Sequence, residues 1–174
     1  WGICDKLNML IWLMSDSMGP ALTTFVAQNL GAKNPERIRK GIAVGTSMSV
    51  GAVALISVGL FFFARILTPL FVSSQDAASL GVLVGTYSRM MAPFFFFYAI
   101  AEALSGACCG TGDTVRPMIT TLLAICLLRV IGILAVLPIY GTMECIVVIY
   151  IASWIAAGIS FLLLWRFDVS HISK

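Results

Sequence analysis

Charged residues are scarce in this sequence. Asp, Glu, Lys and Arg together make up 11% of the chain, whereas an ordinary soluble domain carries about 25%. Hydrophobic residues reach 60%, and the mean hydropathy is +1.00. This balance argues against a soluble globular domain and predicts an integral membrane protein.

Catalytic and ligand-binding motifs are also missing. The sequence contains no GxSxG, HExxH or Walker motif, which argues against hydrolysis and nucleotide-driven pumping by this segment. None of the five cysteines lies in a CxxC spacing, so neither disulfides nor cysteine-bound metals are expected. We therefore expect no enzyme, no cofactor, no metal centre and no nucleic acid partner.

Long apolar runs are what the sequence does contain. A transmembrane helix needs about 20 mostly apolar residues, and none of the runs shows the short alternation of a barrel strand. Because backbone groups in lipid must be satisfied internally, each run is predicted to be helical. The predicted fold class is an all-α integral membrane protein, a bundle of five transmembrane helices. They lie at about residues 7–30, 41–66, 82–109, 117–137 and 143–165.

The basic residues predict an orientation. The chain begins at Trp1 without an initiator Met, and we interpret it as a piece of a longer membrane protein. Seven Lys and Arg residues fall on one side of the predicted bundle and three on the other, so the richer side, including the C-terminus, is predicted to face the cytoplasm. We expect a multi-pass protein of the cytoplasmic membrane. The richer side holds Lys33, Arg37, Arg39, Lys40, Arg116, Arg166 and Lys174, and the other holds Lys6, Arg65 and Arg89.

Two short polar turns lie on the richer side. The first reads Gln28-Asn29-Leu30-Gly31-Ala32 and precedes a basic cluster. The second reads Gly110-Thr111-Gly112-Asp113-Thr114 and is closed by Arg116-Pro117. Its two glycines permit unusual backbone angles, Asp113 or Thr114 can cap the next helix, and Pro117 is tolerated in a first helical turn. Either turn alone would suit any membrane bundle.

As a pair, these turns resemble those of the multidrug and toxic compound extrusion (MATE) transporters. The resemblance implies two lobes of six helices, with this chain forming most of the second lobe, because Arg129 resembles the arginine of that lobe's fifth helix. It implies secondary active multidrug efflux, in which an organic, cationic solute is exchanged for protons or sodium ions. The implied partners are organic small molecules, the lipid bilayer and the first lobe of the same chain.

Three ionisable residues lie deep in the predicted spans: Asp16, Glu102 and Arg129. A charge at the bilayer centre costs about 2.5 kcal/mol or more unless it meets water or a partner. Asp16 shares a helical face with Gly19 and Thr23, and it is either a cation or proton site facing a cavity or a buried acid paired with a Lys or Arg. Glu102 either takes up and releases the coupling proton or bonds a neighbouring hydroxyl. Arg129 could neutralise an acid, contact an anionic group or form a structural ion pair.

The third span also carries methionine and aromatic residues. Pro93 is predicted to bend this helix. Met91, Phe95 and Tyr98 lie nearest the face of Glu102 and are expected to line the substrate cavity, since such side chains suit varied flat cations. A sodium ion could bind at Asp16 or Glu102.

Two other functions remain open from the sequence. A lipid-linked saccharide flippase of the same broad superfamily would need a more cationic cavity than Arg129 alone provides. A non-transporting membrane scaffold would need neither buried acid. Rows of small residues, such as Gly41 with Gly45 and Gly106 with Gly110, predict close helix packing in any of these cases.

Overall fold

The computed structural model describes residues 2–67 and 77–172, and all their regular elements are helical. A 3₁₀ turn at Ala92–Phe94 joins the helix that ends at Met91 to the helix that begins at Phe95. A π-helical segment at Leu122–Leu127 joins the helix that ends at Thr121 to the helix that begins at Leu128. The described residues thus form five helical rods, and the predicted all-α fold class is confirmed. The helices are α1 (Gly2–Gly31), α2 (Pro35–Leu67), α3 (Ala77–Met91), α4 (Phe95–Gly110), α5 (Val115–Thr121), α6 (Leu128–Tyr140) and α7 (Met143–Ile172).

Four of these rods are long and apolar enough to cross a membrane, at Pro35–Ala64, Leu80–Gly110, Val115–Ile139 and Met143–Arg166. The 30 residues of α1 give it sufficient length, but polar residues including Asp5, Lys6 and Asp16 make it less apolar than the others. The cytoplasmic assignment of the turns stays a prediction. Two residues used for it, Arg65 and Lys174, have side chains outside the described part of the chain.

Glycines bring α1 close to α2. A Cβ at Gly41 would overlap the ring of Phe25, and one at Gly45 would lie 2.7 Å from Cδ2 of Leu22. Both glycines therefore admit an α1 side chain into the surface of α2, as the predicted row of small residues requires. Leu22 is buried in the apolar core at this end of the bundle.

The first turn ends α1 in a Schellman motif. The amide of Asn34 donates to the carbonyl of Asn29 (3.0 Å), and the amide of Lys33 donates to that of Leu30 (3.0 Å). Ala32 closes the last helical turn by donating to Gln28 (3.1 Å). The left-handed position of this motif usually holds Gly. Here it holds Lys33, at φ 53°, while Gly31 belongs to α1.

Replacing Lys33 by Gly should stabilise the protein. A side chain in the left-handed region costs about 1–2 kcal/mol, and the greater flexibility of Gly in the unfolded chain offsets about half of that. We expect an increase of about 0.5–1 kcal/mol in unfolding free energy, measured by thermal melting in detergent. Lys33→Ala is the matched control, since it removes the same charge but keeps the Cβ. An equal gain in both variants would contradict the backbone explanation.

The second turn uses its two glycines differently. Gly112 has φ +92° and donates to the carbonyl of Cys109 (3.0 Å), so the expectation of unusual backbone angles is right for this glycine. It is wrong for Gly110, which ends α4 and packs against α1, where a Cβ would lie 2.7 Å from the carbonyl oxygen of Thr23.

Asp113 caps the helix that follows. Its Oδ1 accepts from the amide of Arg116 (3.2 Å) and its Oδ2 pairs with Nε of the same residue (2.8 Å). The Thr114 side chain makes no capping bond. Pro117 lies buried near the start of α5, where its missing N–H costs no helical bond.

Two irregular segments interrupt the rods. Pro93 lies in the 3₁₀ turn between α3 and α4, which fits the predicted bend. In the π-helical segment the amide of Leu128 reaches back to the carbonyl of Leu123, one residue further than in an α-helix. Arg129 is the second residue after this segment.

Candidate functional site

The site is built on the contact between α1 and α4. A Cβ at Gly106 would overlap the carbonyl oxygen of Gly19, so the two backbones touch directly. The hydroxyl of Thr23 lies within hydrogen-bonding distance of the carbonyl of Gly106 (2.8 Å) and of that of Gly19 (3.0 Å), so the two carbonyls share its single hydrogen. Such hydrogen bonds and small residues hold membrane helices together where the hydrophobic effect between them is weak. Residues one or two turns from Gly19 and Gly106 are thereby fixed against each other.

Both predicted acids lie at this contact. The hydroxyl of Tyr98 on α4 donates to Oδ1 of Asp16 on α1 (2.9 Å). Glu102 lies one turn further along α4, with Oε1 only 3.5 Å from the position that a Cβ at Gly19 would occupy. Asp16 is exposed, whereas Glu102 is half-buried. The structure therefore brings Asp16, Tyr98 and Glu102 together, and we call these three residues the acidic cluster.

The acids have no basic partner within the part of the chain that the structure describes. Neither takes part in its salt bridges, which include Lys40–Glu36 and Arg116–Asp113. The alternative of Asp16 paired with a Lys or Arg is therefore not what the described residues form. The acidic cluster keeps two carboxylates that can hold a proton or a cation.

Arg129 lies across an aromatic group from the acidic cluster. Its Nε donates to the hydroxyl of Ser153 (2.9 Å), and its guanidinium carbon lies 4.0 Å from the centre of the Tyr150 ring. Trp154 stands between the two regions, with its ring 6.2 Å from that of Tyr98 and 6.1 Å from that of Tyr150. No salt bridge to Arg129 occurs among the described side chains. The guanidinium of Arg129 is therefore stabilised by a cation–π contact. The structural ion pair, which was one of the predicted outcomes, is not formed among the described side chains.

Met91 and Phe95 do not join the acidic cluster. Each is 1% exposed. Met91 accepts a weak hydrogen bond from Nδ2 of Asn8 (3.8 Å), and the Phe95 ring packs 4.9 Å from Trp154. Of the three residues expected to line a cavity with the acids, Tyr98 is the one that contacts them in this structure.

Ser153, Tyr150 and Trp154 were not singled out from the sequence. Tyr150 and Trp154 are four residues apart and hence share one face of α7, which is a signal for an aromatic patch. No local sequence pattern shows that Arg129, which is 24 positions away from Ser153, would pack on this aromatic patch. Within residues 2–67 and 77–172, no group of three or more His, Cys, Asp or Glu side chains could hold a metal ion.

The chain is similar to known proteins over most of its length. The MatE family profile matches residues 1–134. NorM of Thermotoga maritima, described as a probable multidrug resistance protein, is 30% identical over 120 residues, or 69% of this chain and 25% of the relative. DETOXIFICATION 14 of Arabidopsis thaliana is 32% identical over 116 residues, or 63% of this chain and 22% of the relative. YpnP of Bacillus subtilis, also described as a probable multidrug resistance protein, is 25% identical over 129 residues, or 74% of this chain and 28% of the relative.

This chain spans about a quarter of the length of those relatives. The matched region contains both polar turns, the acidic cluster and Arg129. The family profile covers well over half of the chain, in a structure whose rods can cross a membrane. The chain therefore belongs to the MatE family, the multidrug and toxic compound extrusion family that its two turns resemble.

Proposed function

We propose that this chain forms part of a secondary active exporter, which moves organic, cationic solutes in exchange for protons or sodium ions. The observation that carries the proposal is the acidic cluster, in which Asp16 and Glu102 come from two helices that touch through Gly19 and Gly106. Carboxylates inside a membrane bundle mark ion or substrate pathways, because their cost is otherwise hard to offset.

The cluster supports exchange because its two acids are close neighbours. Tyr98 donates to Asp16 (2.9 Å), which orients that carboxylate and leaves Glu102 free to bind a cation. A proton or sodium ion on Glu102 would lower the negative charge that attracts an organic cation to the same place. Coupling ion and substrate would then compete for one site, which is the requirement for antiport.

The relatives support the same class of function. Two of them are described as probable multidrug resistance proteins and one as a detoxification protein. Transport is proposed to proceed by rocking of two lobes around a central site, and this chain would supply most of the second lobe. The first lobe, the organic substrates and the bilayer are the proposed partners.

Neither alternative function is favoured by a particular observation. A flippase for pyrophosphate-linked saccharides would need several cations in its cavity, whereas the guanidinium of Arg129 is occupied by Tyr150 and Ser153. A scaffold would have no use for two acids without a basic partner at the contact between two helices. Efflux is therefore the function that we propose.

Efflux from vesicles tests the proposal. The full-length transporter that contains this chain is reconstituted into vesicles filled with a fluorescent organic cation, and a proton gradient and a sodium gradient are imposed separately. We expect one gradient to accelerate release of the cation and an ionophore specific for that ion to abolish the acceleration. A rate of cation release that is the same with and without each gradient would overturn the antiport proposal.

A further inference from the structure

A groove of about 610 Å³ runs along α2, on the side away from α1, between α2, α4 and α7. Apart from Arg39 at one end, its walls are almost entirely apolar or small. Leu104 of α4 and Leu162 and Trp165 of α7 also line it. Arg39 is close to the start of the span Pro35–Ala64 and Trp165 is close to the end of the span Met143–Arg166, and these two ends lie on the same side of a bundle whose rods alternate in direction. Along α2 it extends from Arg39 to Gly51.

The length of this groove matches one leaflet of a bilayer. Twelve residues of α-helix separate Arg39 from Gly51, a distance of about 18 Å at 1.5 Å per residue. Half of a hydrocarbon core of about 30 Å is about 15 Å. Arg39 and Trp165 thus lie at headgroup depth if Gly51 lies near the midplane, and Trp is typical of that depth.

The charge at the mouth of the groove is unbalanced. Glu36, the acid one helical turn before Arg39, does not line the groove and is already paired with Lys40 (2.6 Å). Arg39 is exposed and takes part in no salt bridge that the described side chains form. Arg166 follows Trp165 and is also exposed. A negatively charged group at headgroup depth would therefore complement this end of the groove.

We propose that the groove binds an anionic phospholipid of the leaflet that contains the basic turn. The phosphate would lie against the guanidinium of Arg39, near the indole of Trp165, and one acyl chain would lie along Leu104 and Leu162 towards Gly51. This site is separate from the acidic cluster and does not depend on the proposed exchange function.

Native mass spectrometry tests the lipid site. The protein is purified in mild detergent and exposed to equal amounts of phosphatidylglycerol and phosphatidylcholine, and the ratio of the two bound lipids is measured. We expect phosphatidylglycerol to be preferred, and Arg39→Gln to lower that preference about fivefold, the effect of one basic residue at the surface. Arg37→Gln is the matched control, because it removes the same charge from the same helix but lies on a different surface of α2.

A second variant tests the acyl-chain part of the groove. A Cβ at Gly51 would meet nothing within 4 Å, so Gly51→Leu can place its side chain in the groove. An unchanged melting temperature of this variant checks that the helices are not forced apart. The variant should reduce retention of both lipids alike. Three results would each overturn the proposal. The first is an equal lipid ratio in Arg39→Gln and Arg37→Gln, the second is unchanged lipid retention in Gly51→Leu, and the third is no lipid bound to the unmodified protein.

Discussion

Gly106→Ala is expected to destabilise the bundle more than a Gly→Ala substitution at any other glycine that the structure describes. The new Cβ would overlap the carbonyl oxygen of Gly19, which is backbone and has no rotamer to change. Helix α1 would have to move away, and the bond from Thr23 to Gly106 would stretch or break. Overpacking costs about 1–3 kcal/mol, and we expect the upper end of that range.

Thermal melting in detergent measures this effect. A loss of about 3 kcal/mol corresponds to a melting temperature lower by about 10 °C in a chain of this size. Gly51→Ala is the control, since it adds the same methyl group to a helix but meets nothing within 4 Å. It should leave the melting temperature unchanged or raise it, because Ala favours helix more than Gly does. Equal melting temperatures in the two variants would show that α1 and α4 are not in backbone contact.

Glu102→Gln should lower efflux of an organic cation about 10- to 100-fold. A hydrogen bond or ion contact to a charged group contributes about 1.5–3 kcal/mol, and 1.4 kcal/mol corresponds to a factor of ten. Gln has nearly the same shape, so the variant should fold and melt like the unmodified protein. Asp16→Asn should have a smaller effect, because Asn can still accept the hydrogen bond from Tyr98.

The control for both acids is Glu144→Gln in the exposed first turn of α7. This variant removes an identical charge from a residue outside the acidic cluster. Efflux is compared in vesicles at equal protein content, under the gradient that drives the unmodified protein. If Glu102→Gln and Glu144→Gln transport equally well, Glu102 does not couple ion and substrate.

Much of this arrangement could be predicted from local patterns. Apolar runs of about 20 residues predict the helices, because only helices and closed barrels satisfy the backbone in lipid. Helical spacing placed Asp16 on the face of Gly19 and Thr23, and that face is the one that packs on α4. The cap by Asp113 and the left-handed Gly112 follow from turn chemistry in the same way.

What could not be predicted depends on contacts between distant residues. The hydrogen bond from Tyr98 to Asp16 joins residues 82 positions apart, and no local period shows which helices meet. Phe95 lies on the face of Glu102, yet it is enclosed because Trp154 of α7 covers it. The left-handed angle at Lys33 escaped prediction because the residue type gives no sign of it. Backbone hydrogen bonds of the turn impose that angle.

The π-helical segment before Arg129 has a consequence for comparisons between relatives. Its wider turn, marked by the bond from Leu128 to Leu123, accommodates one residue more than a regular helix of the same length. Compared with a regular α-helix, the residues after the segment are rotated about the helix axis by about 100°. This rotation turns Arg129 towards Ser153 and Tyr150. The segment is thus equivalent to a single-residue insertion in the helix. Deleting one residue between Leu122 and Leu127 should restore the regular helical phase and turn the guanidinium of Arg129 away from Ser153 and Tyr150.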